Sequence, residues 1–510
     1  MSSPQIRGID RYTLMADLAP GVSKLINQSL IPLTGIIALL TLYLAFSHSI
    51  GTIGFALMGA GTCIVLSLWA KQGIGLPLLP MIAIQHLFAY AMPILANDEL
   101  VVAYPSSYLL QAGVEVLVFM LALGGGWRFG MRTMKPSPPR AYTLHIMAKG
   151  GGRGLRKIGY GLITFTTLYY LLQSLSLLDT FTRILPSGSD SLVNGLVSAA
   201  GMCGFFVIAL GIGSGEIPAR SSVVFWGLFI FNCFISASAL LLSASTSFVA
   251  TVFIGLFWGS KRIPWKFITL VILILGFLNL GKFEMRNRYW MATDDFIPSI
   301  PLSAMPARYL EWADASLAVI TANDDNTGKR NLKKDNSILS RVNNLQNLLF
   351  VIDAVDRENI PLLYGATYTL IPPLLIPRIF WPEKPRSHEG QVLLNVHFGR
   401  QDMISSYRTY IAWGLLPEAY GNFGPFAGSI ILGFVLGLFI AWVENFSAYK
   451  PLLSMEGFLV FTLFLNMAAS FEMVASVLVT SIFQSLIPII LACIPFVYRS
   501  SSVRPEEETS

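Results

Sequence analysis

Apolar runs of membrane-crossing length recur along this chain at 28–47, 50–70, 74–95, 106–126, 158–178, 191–213, 221–241, 244–259, 267–282, 422–443, 455–471 and 474–497. A hydrocarbon core takes about 20 helical residues per crossing, and a helix satisfies its own backbone groups where no water can. The pattern predicts an all-α polytopic integral membrane protein of about 12 transmembrane helices. Composition agrees, since 54% of 510 residues are hydrophobic and 13% charged, outside the range of soluble domains. The expected organisation is an N-terminal transmembrane bundle over 1–282, a large extracytoplasmic loop over 283–421, and three further helices with a short tail over 422–510. The apolar segment near 360–381 is interrupted by Pro372, Pro373 and Pro377, which predicts a re-entrant or interfacial path rather than a crossing.

Orientation follows from the loop after the fourth run. Arg128, Arg132, Lys135, Arg140, Lys149, Arg153, Arg156 and Lys157 occur there without an Asp or Glu, which predicts a cytoplasmic loop in contact with anionic lipid. Threading alternately puts Lys71, the Glu216–Arg220 turn and Lys261-Arg262 inside, Asp98-Glu99 and the 179–190 loop outside, and both termini in the cytoplasm. The 283–408 segment then falls on the outer face. Its acids and bases nearly balance, and long loops escape the positive-inside rule. A net charge of +6 therefore reflects topology, and no nucleic-acid partner is expected.

Several chemistries lack their residues. Cys63, Cys203, Cys233 and Cys493 all lie inside apolar runs, so they read as buried hydrophobes without disulfides. The first 24 residues carry Asp10, Arg11 and Asp17 without a cleavable signal pattern, so the first apolar helix is expected to be retained. No phosphate loop, CxxC pair, HExxH or GxSxG occurs, which leaves nucleotide hydrolysis, zinc proteolysis and serine hydrolysis unsupported. Asp294-Asp295 and Asp324-Asp325 read as solvated pairs, so no metal or other cofactor is expected. No internal repeat of the transporter kind is visible, and 323–336 reads as a polar surface excursion. Glu115, in mid-run, needs a partner such as His86 or Gln173, and Glu472 sits near an outer helix end.

What remains is a concentration of cations and aromatics from Arg341 to Glu418. In PRIFWPEKPR, Arg378, Lys384 and Arg386 alternate with Pro377, Pro382 and Pro385 around Trp381. Prolines fix the backbone, and a guanidinium fork matches two phosphate oxygens. On residue physics two readings stay open: an anion-binding site at the membrane surface, or a stiff hairpin whose Trp and Arg anchor at the headgroups.

The block LLYGATYTLIPPLLIPRIFWPEKPR, followed by RTYIAWGLLPEAYGNFGPFAGSIILGFVLGLFIAW, resembles the Wzy-type O-antigen and oligosaccharide repeat-unit polymerases. The IPR.lWP.KP signature of that family falls on Ile376–Pro385 and its G...E.Y.NFG signature on Gly414–Gly424. The likeness covers roughly the last third of the chain, with a weaker extension at 340–355. It implies a GT-C-like glycosyltransferase that joins undecaprenyl-diphosphate-linked oligosaccharide units on the periplasmic face of the bacterial inner membrane, without nucleotide or metal. The resemblance also implies a chain-length regulator as partner. A ligase that uses the same donor, a flippase and a non-enzymatic assembly protein are the alternatives.

Under that resemblance Arg378 is the first candidate for stabilising charge on the departing diphosphate. Arg408 and Glu418 are the further catalytic candidates, with Glu418 as base, glycan ligand or partner of Arg408. Arg341, Trp381, Lys384, Arg386, Tyr420 and Asn422 are the substrate-binding candidates, while His388, His397 and Glu383 are other possible bases.

Overall fold

The structure, a computed structural model, describes residues 14–501 apart from 139, 145–150, 176, 179–188, 241, 261, 290–299, 322–342, 378–379, 382, 409–410, 469–472 and 495–496. Every apolar run expected to span overlaps a helix. In chain order these are α1 (Ala19–Phe46), α2 (Thr52–Gln72), α3 (Leu78–Leu95), α4 (Ser106–Thr133), α5 (Gly151–Ser174), α6 (Ser189–Gly213), α7 (Ala219–Ala237), α8 (Leu242–Ser260) and α9 (Trp265–Tyr289). Four short helices follow: α10 (Met305–Thr321), α11 (Leu345–Asp356), α12 (Glu389–His397) and α13 (Met403–Arg408). The chain continues through α14 (Leu415–Phe423), α15 (Ala427–Ser447), α16 (Met455–Ala468) and α17 (Ala475–Cys493).

Among the described residues, 9 helices are long and apolar enough to cross a membrane, which makes the chain a multi-pass membrane protein. The helices at Ser245–Ser260 and Met455–Ala468 are apolar but shorter. Two five-residue extended segments, Arg140–Leu144 and Val497–Ser501, depart from helix. The segment at 360–381 holds one turn of helix at Ile371–Leu374. All four cysteines are free.

The chain divides into two compact units. One comprises 1–11, 142–337 and 487–498. Its core gathers Phe205, Phe225, Phe229 and Phe248 with Ile163 and Val252. Helices α6 and α8 meet through glycines: a Cβ on Gly259 would lie 2.3 Å from the Leu210 carbonyl oxygen, and one on Gly213 2.6 Å from that of Leu256. Beyond its apolar run, α9 continues to Tyr289 and is held by α10, where the Trp312 indole N–H donates to the Leu278 carbonyl at 2.6 Å. The buried face of α10 carries Met305, Trp312, Ala315 and Ser316.

The other unit comprises 12–141, 338–486 and 499–510. Helices α4 and α15 are its axis. Gly126 lies against the Phe434 backbone and Gly130 against Ala441, while Gly433 lies against Phe119 and Leu123 and Gly437 against Leu123 and Trp127, which lets two backbones approach closely in a medium that offers no hydrophobic drive between helices. A Cβ on Gly437 would stand 2.2 Å from the Leu123 carbonyl oxygen and 2.7 Å from the Trp127 nitrogen. Gly437→Leu is expected to cost on the order of 3 kcal/mol by forcing these backbones apart, read as a lower midpoint of thermal unfolding.

Two local expectations change. The helix expected from 422 begins at Ala427, because Gly424 and Phe426 at φ 79° and 59° break it and leave Asn422 in α14. Glu115 is held by neither His86 nor Gln173. It accepts from the Phe426 backbone N–H at 2.8 Å and from the Ser429 hydroxyl, and so caps α15 from a neighbouring helix. The His86 ring instead contacts the Ile82 carbonyl through Nδ1 and stacks on Phe119.

Candidate functional site

Helix α14 is short because glycines bound it. Gly414 and Gly424 adopt φ of 93° and 79°, where a side chain would be strained. Its nine residues are almost entirely buried, including Glu418, Tyr420 and Asn422. Each of these side chains has a definite partner. The Tyr420 hydroxyl accepts from the Gln111 amide at 2.8 Å. The Asn422 amide donates to the Thr367 hydroxyl at 2.9 Å, and its Oδ1 accepts from the Gly365 N–H at 3.1 Å. With Leu363 N–H on the Gly421 carbonyl and Tyr364 N–H on that of Asn422, the 363–367 turn is fixed onto α14.

Glu418 lies fully inside. Its Oε2 accepts from the Ala475 N–H, the first residue of α17, while Oε1 is buried without a hydrogen bond. Burial pushes its pKa up to about 7, with the Ala475 N–H and the nearby Thr367 hydroxyl pulling the other way. A carboxyl whose folded pKa is raised stabilises the fold fully below its unfolded pKa near 4.5, and that contribution is lost as pH rises towards 7. Glu418→Gln is therefore expected to flatten the fall in unfolding midpoint between pH 5 and 7, measured by thermal melts across that window.

The proline-rich loop is closed by one cation. Lys384 is buried, and its ammonium donates to the Leu374 and Ile376 carbonyls at 2.6 and 2.5 Å. The Leu374 contact joins positions ten residues apart. Trp381 stays partly exposed, and Phe380 is exposed. The Arg386 guanidinium lies 5.6 Å over the Tyr407 ring, whose hydroxyl donates to Glu389 at 2.8 Å. The Ser476 hydroxyl donates to the Ser387 carbonyl at 3.1 Å, so the start of α17 touches both this loop and Glu418.

Arg378 and Arg341 lie outside the described residues, as does the Arg408 side chain; the Arg408 backbone ends α13. Asp294-Asp295, Glu472 and the 323–336 segment also lie outside them. His388 contacts the Gln391 amide oxygen and His397 the Pro361 carbonyl, each at 2.7 Å. Glu383 is exposed.

One cation was not anticipated. Arg400 follows Gly399 at φ 70° and is half-buried, its guanidinium 5.4 Å over the Phe350 ring and 5.6 Å over that of Trp413. One N–H donates to the Asn347 amide oxygen at 2.8 Å. Asn347 in turn donates to the Ala412 and Trp413 carbonyls, and the Trp413 indole donates to Asn395 at 2.7 Å. Among the described residues no carboxylate pairs with Arg400. Asp402, the acid nearest in sequence, is engaged by the Ser405 N–H and hydroxyl at 2.9 and 2.6 Å. Desolvation pulls the Arg400 pKa below its ordinary value, with Tyr104 opposing, and the group stays charged. A guanidinium held over two rings, partly desolvated and, among the described residues, hydrogen-bonded only to a neutral amide, has its remaining donors available to an anion.

No metal-holding group of three or more His, Cys, Asp or Glu occurs among the described residues. The arrangement can present a rigid set of donors and aromatics beside transmembrane helices. No protein-family model matches this chain, and neither a curated protein nor a solved structure matches it.

Proposed function

We propose that the protein is a membrane glycosyltransferase that polymerises oligosaccharide repeat units carried on a polyprenyl diphosphate. The observation that carries this reading is Arg400, a half-buried guanidinium without a carboxylate partner among the described residues, between the two segments that resemble the polymerase signatures. In support, the second signature is bonded to the 363–367 turn and, through α17, shares a contact element with Ser387, just past the first.

In this reading the chain crosses the bacterial inner membrane about 12 times with both termini in the cytoplasm, and 283–421 is a periplasmic loop. The acceptor's sugar hydroxyl bonds to the anomeric carbon of the donor as the C–O bond to the diphosphate breaks. The electron pair leaves on the diphosphate, and the hydroxyl proton passes to a base. Fixed guanidinium groups lower the barrier because negative charge accumulates on the leaving group during bond breaking. Arg378, Arg408 and Arg400 take that part, with Arg341 and Arg386 as further cations. Lys384 shapes the loop, Trp381 stacks on sugar or prenyl chain, and Tyr420 and Asn422 position the α14 face. Glu418 positions α17 through Ala475. A chain-length regulator completes the proposed assembly.

Purified protein in nanodiscs, given lipid-linked repeat units without nucleotide or added metal, is expected to produce a ladder of longer glycans. Transfer of a single block to a lipid A core acceptor would instead make it a ligase, and absence of any new glycosidic bond would end the enzyme reading.

A further inference from the structure

Six non-glycine residues among those described have a left-handed backbone, and five of them have a visible reason. Asn97, Asn359 and His48 are of types that tolerate this region. Leu240 is buried in a core cluster, and the Phe426 N–H is fixed by Glu115. Tyr364 differs from all of them. At φ 48° it carries a large ring that is 80% exposed, so the fold gains no burial from it.

The backbone beneath that ring is held with unusual completeness. Tyr364 N–H donates to the Asn422 carbonyl at 2.9 Å, and its neighbours Leu363 and Gly365 donate to the Gly421 carbonyl and the Asn422 side chain. The Asn422 amide is itself fixed by Thr367 and the Glu418 carbonyl. Gly365, next in the chain, is left-handed as well, at φ 89°. Glycine at 364 would take the same path without steric cost. A strained residue persisting in a rigid, over-determined setting is the signature of a side chain retained for what it contacts.

We infer that Tyr364 is a stacking platform for a sugar ring, placed by the buried Asn422 network at the edge of α14. An aromatic face packs against the C–H face of a pyranose, and the phenol hydroxyl supplies a polar handle at the ring's rim. Anchoring at lipid headgroups uses the same side chain but needs no fixed backbone, which favours the sugar. The inference rests on the glycosyl-transfer reading and specifies an acceptor or donor sugar contact within it.

The test compares the full chain in nanodiscs with Tyr364→Gly and Tyr364→Trp on a printed array of bacterial oligosaccharides, alongside thermal melts. Wild type and Tyr364→Trp are expected to bind a shared subset of glycans. Tyr364→Gly is expected to bind them at least about tenfold more weakly while melting at the same or a higher temperature. The proposal is overturned if Tyr364→Gly binds as wild type does, or if wild type binds no glycan. It also falls if Tyr364→Gly only lowers the melting temperature in lipid, the headgroup-anchor result. Glycan binding through Tyr364 without a polymer ladder would retain the platform and remove the polymerase; a ladder unaffected by Tyr364→Gly would do the reverse.

Discussion

Replacing Arg400 with alanine is expected to lower the rate of glycan polymerisation at least about 100-fold while leaving the protein folded. The magnitude follows from removing one fixed charge-assisted donor set from a leaving group that develops full negative charge. Loss of the guanidinium leaves only neutral partners behind, the Asn347 amide oxygen and two ring faces, so no buried charge is orphaned. Arg400→Lys tests the geometry. It keeps the charge but loses the planar guanidinium's contacts with the Phe350 and Trp413 rings and the two-pronged approach to phosphate, so activity should recover only in part. The measurement is the initial rate of ladder formation, with size-exclusion profiles to establish folding. An alanine variant with wild-type rate would remove Arg400 from the site.

The second large effect concerns stability. Glu444 is buried near the end of α15 and accepts four donors: the Trp69 indole at 3.1 Å, the Ile74 and Gly75 N–H groups at 2.7 and 3.0 Å, and the Trp127 indole at 2.8 Å. These hold α2, α4 and the entry to α3 against α15. Glu444→Ala leaves two indoles and two backbone N–H groups without acceptors in a dry interior. At about 1–3 kcal/mol for each orphaned group, the loss is expected to reach about 5 kcal/mol, as large as the whole stability at the low end of the usual range of about 5–15 kcal/mol. Glu444→Gln should retain part of the yield, because its amide oxygen still accepts while its NH₂ opposes one of the indoles. Fluorescence-detected size exclusion of expressed variants reads this directly. Recovery of Glu444→Ala at wild-type level and melting point would show that water satisfies those donors.

Helix positions were legible in the sequence because hydropathy sets them. Pro372, Pro373 and Pro377 likewise marked the stretch that does not form a long helix. Partners were less legible, since a contact between distant segments leaves no local trace. Glu115 was recognisable as an acid that needed a donor, yet its donors come from the Phe426–Ser429 turn. Lys384 read as a substrate-binding cation, and only the folded loop reveals two carbonyls under its ammonium. Arg400 carries no sequence signal at all. Its neighbour Asp402 is taken up by the Ser405 N–H and hydroxyl at the start of α13. The glycines at 126, 130, 433 and 437 drew no reading from the sequence, because a close approach between distant helices is visible only in the assembled bundle.

The capping of α15 by Glu115 has a consequence for the order of events at the ribosome. Glu115 and Phe426 are separated by 311 residues. At a synthesis rate of about 5–20 residues per second, α4 leaves the insertion machinery roughly 15–60 s before its donor exists. During that interval a transmembrane helix carries a carboxyl group with no backbone N–H to receive it. Longer delays apply to the indoles of Trp69 and Trp127, which await Glu444 375 and 317 residues later. The N-terminal helices of this unit are thus polar-incomplete until the last third of the chain arrives, and α15 closes several open positions in one insertion step.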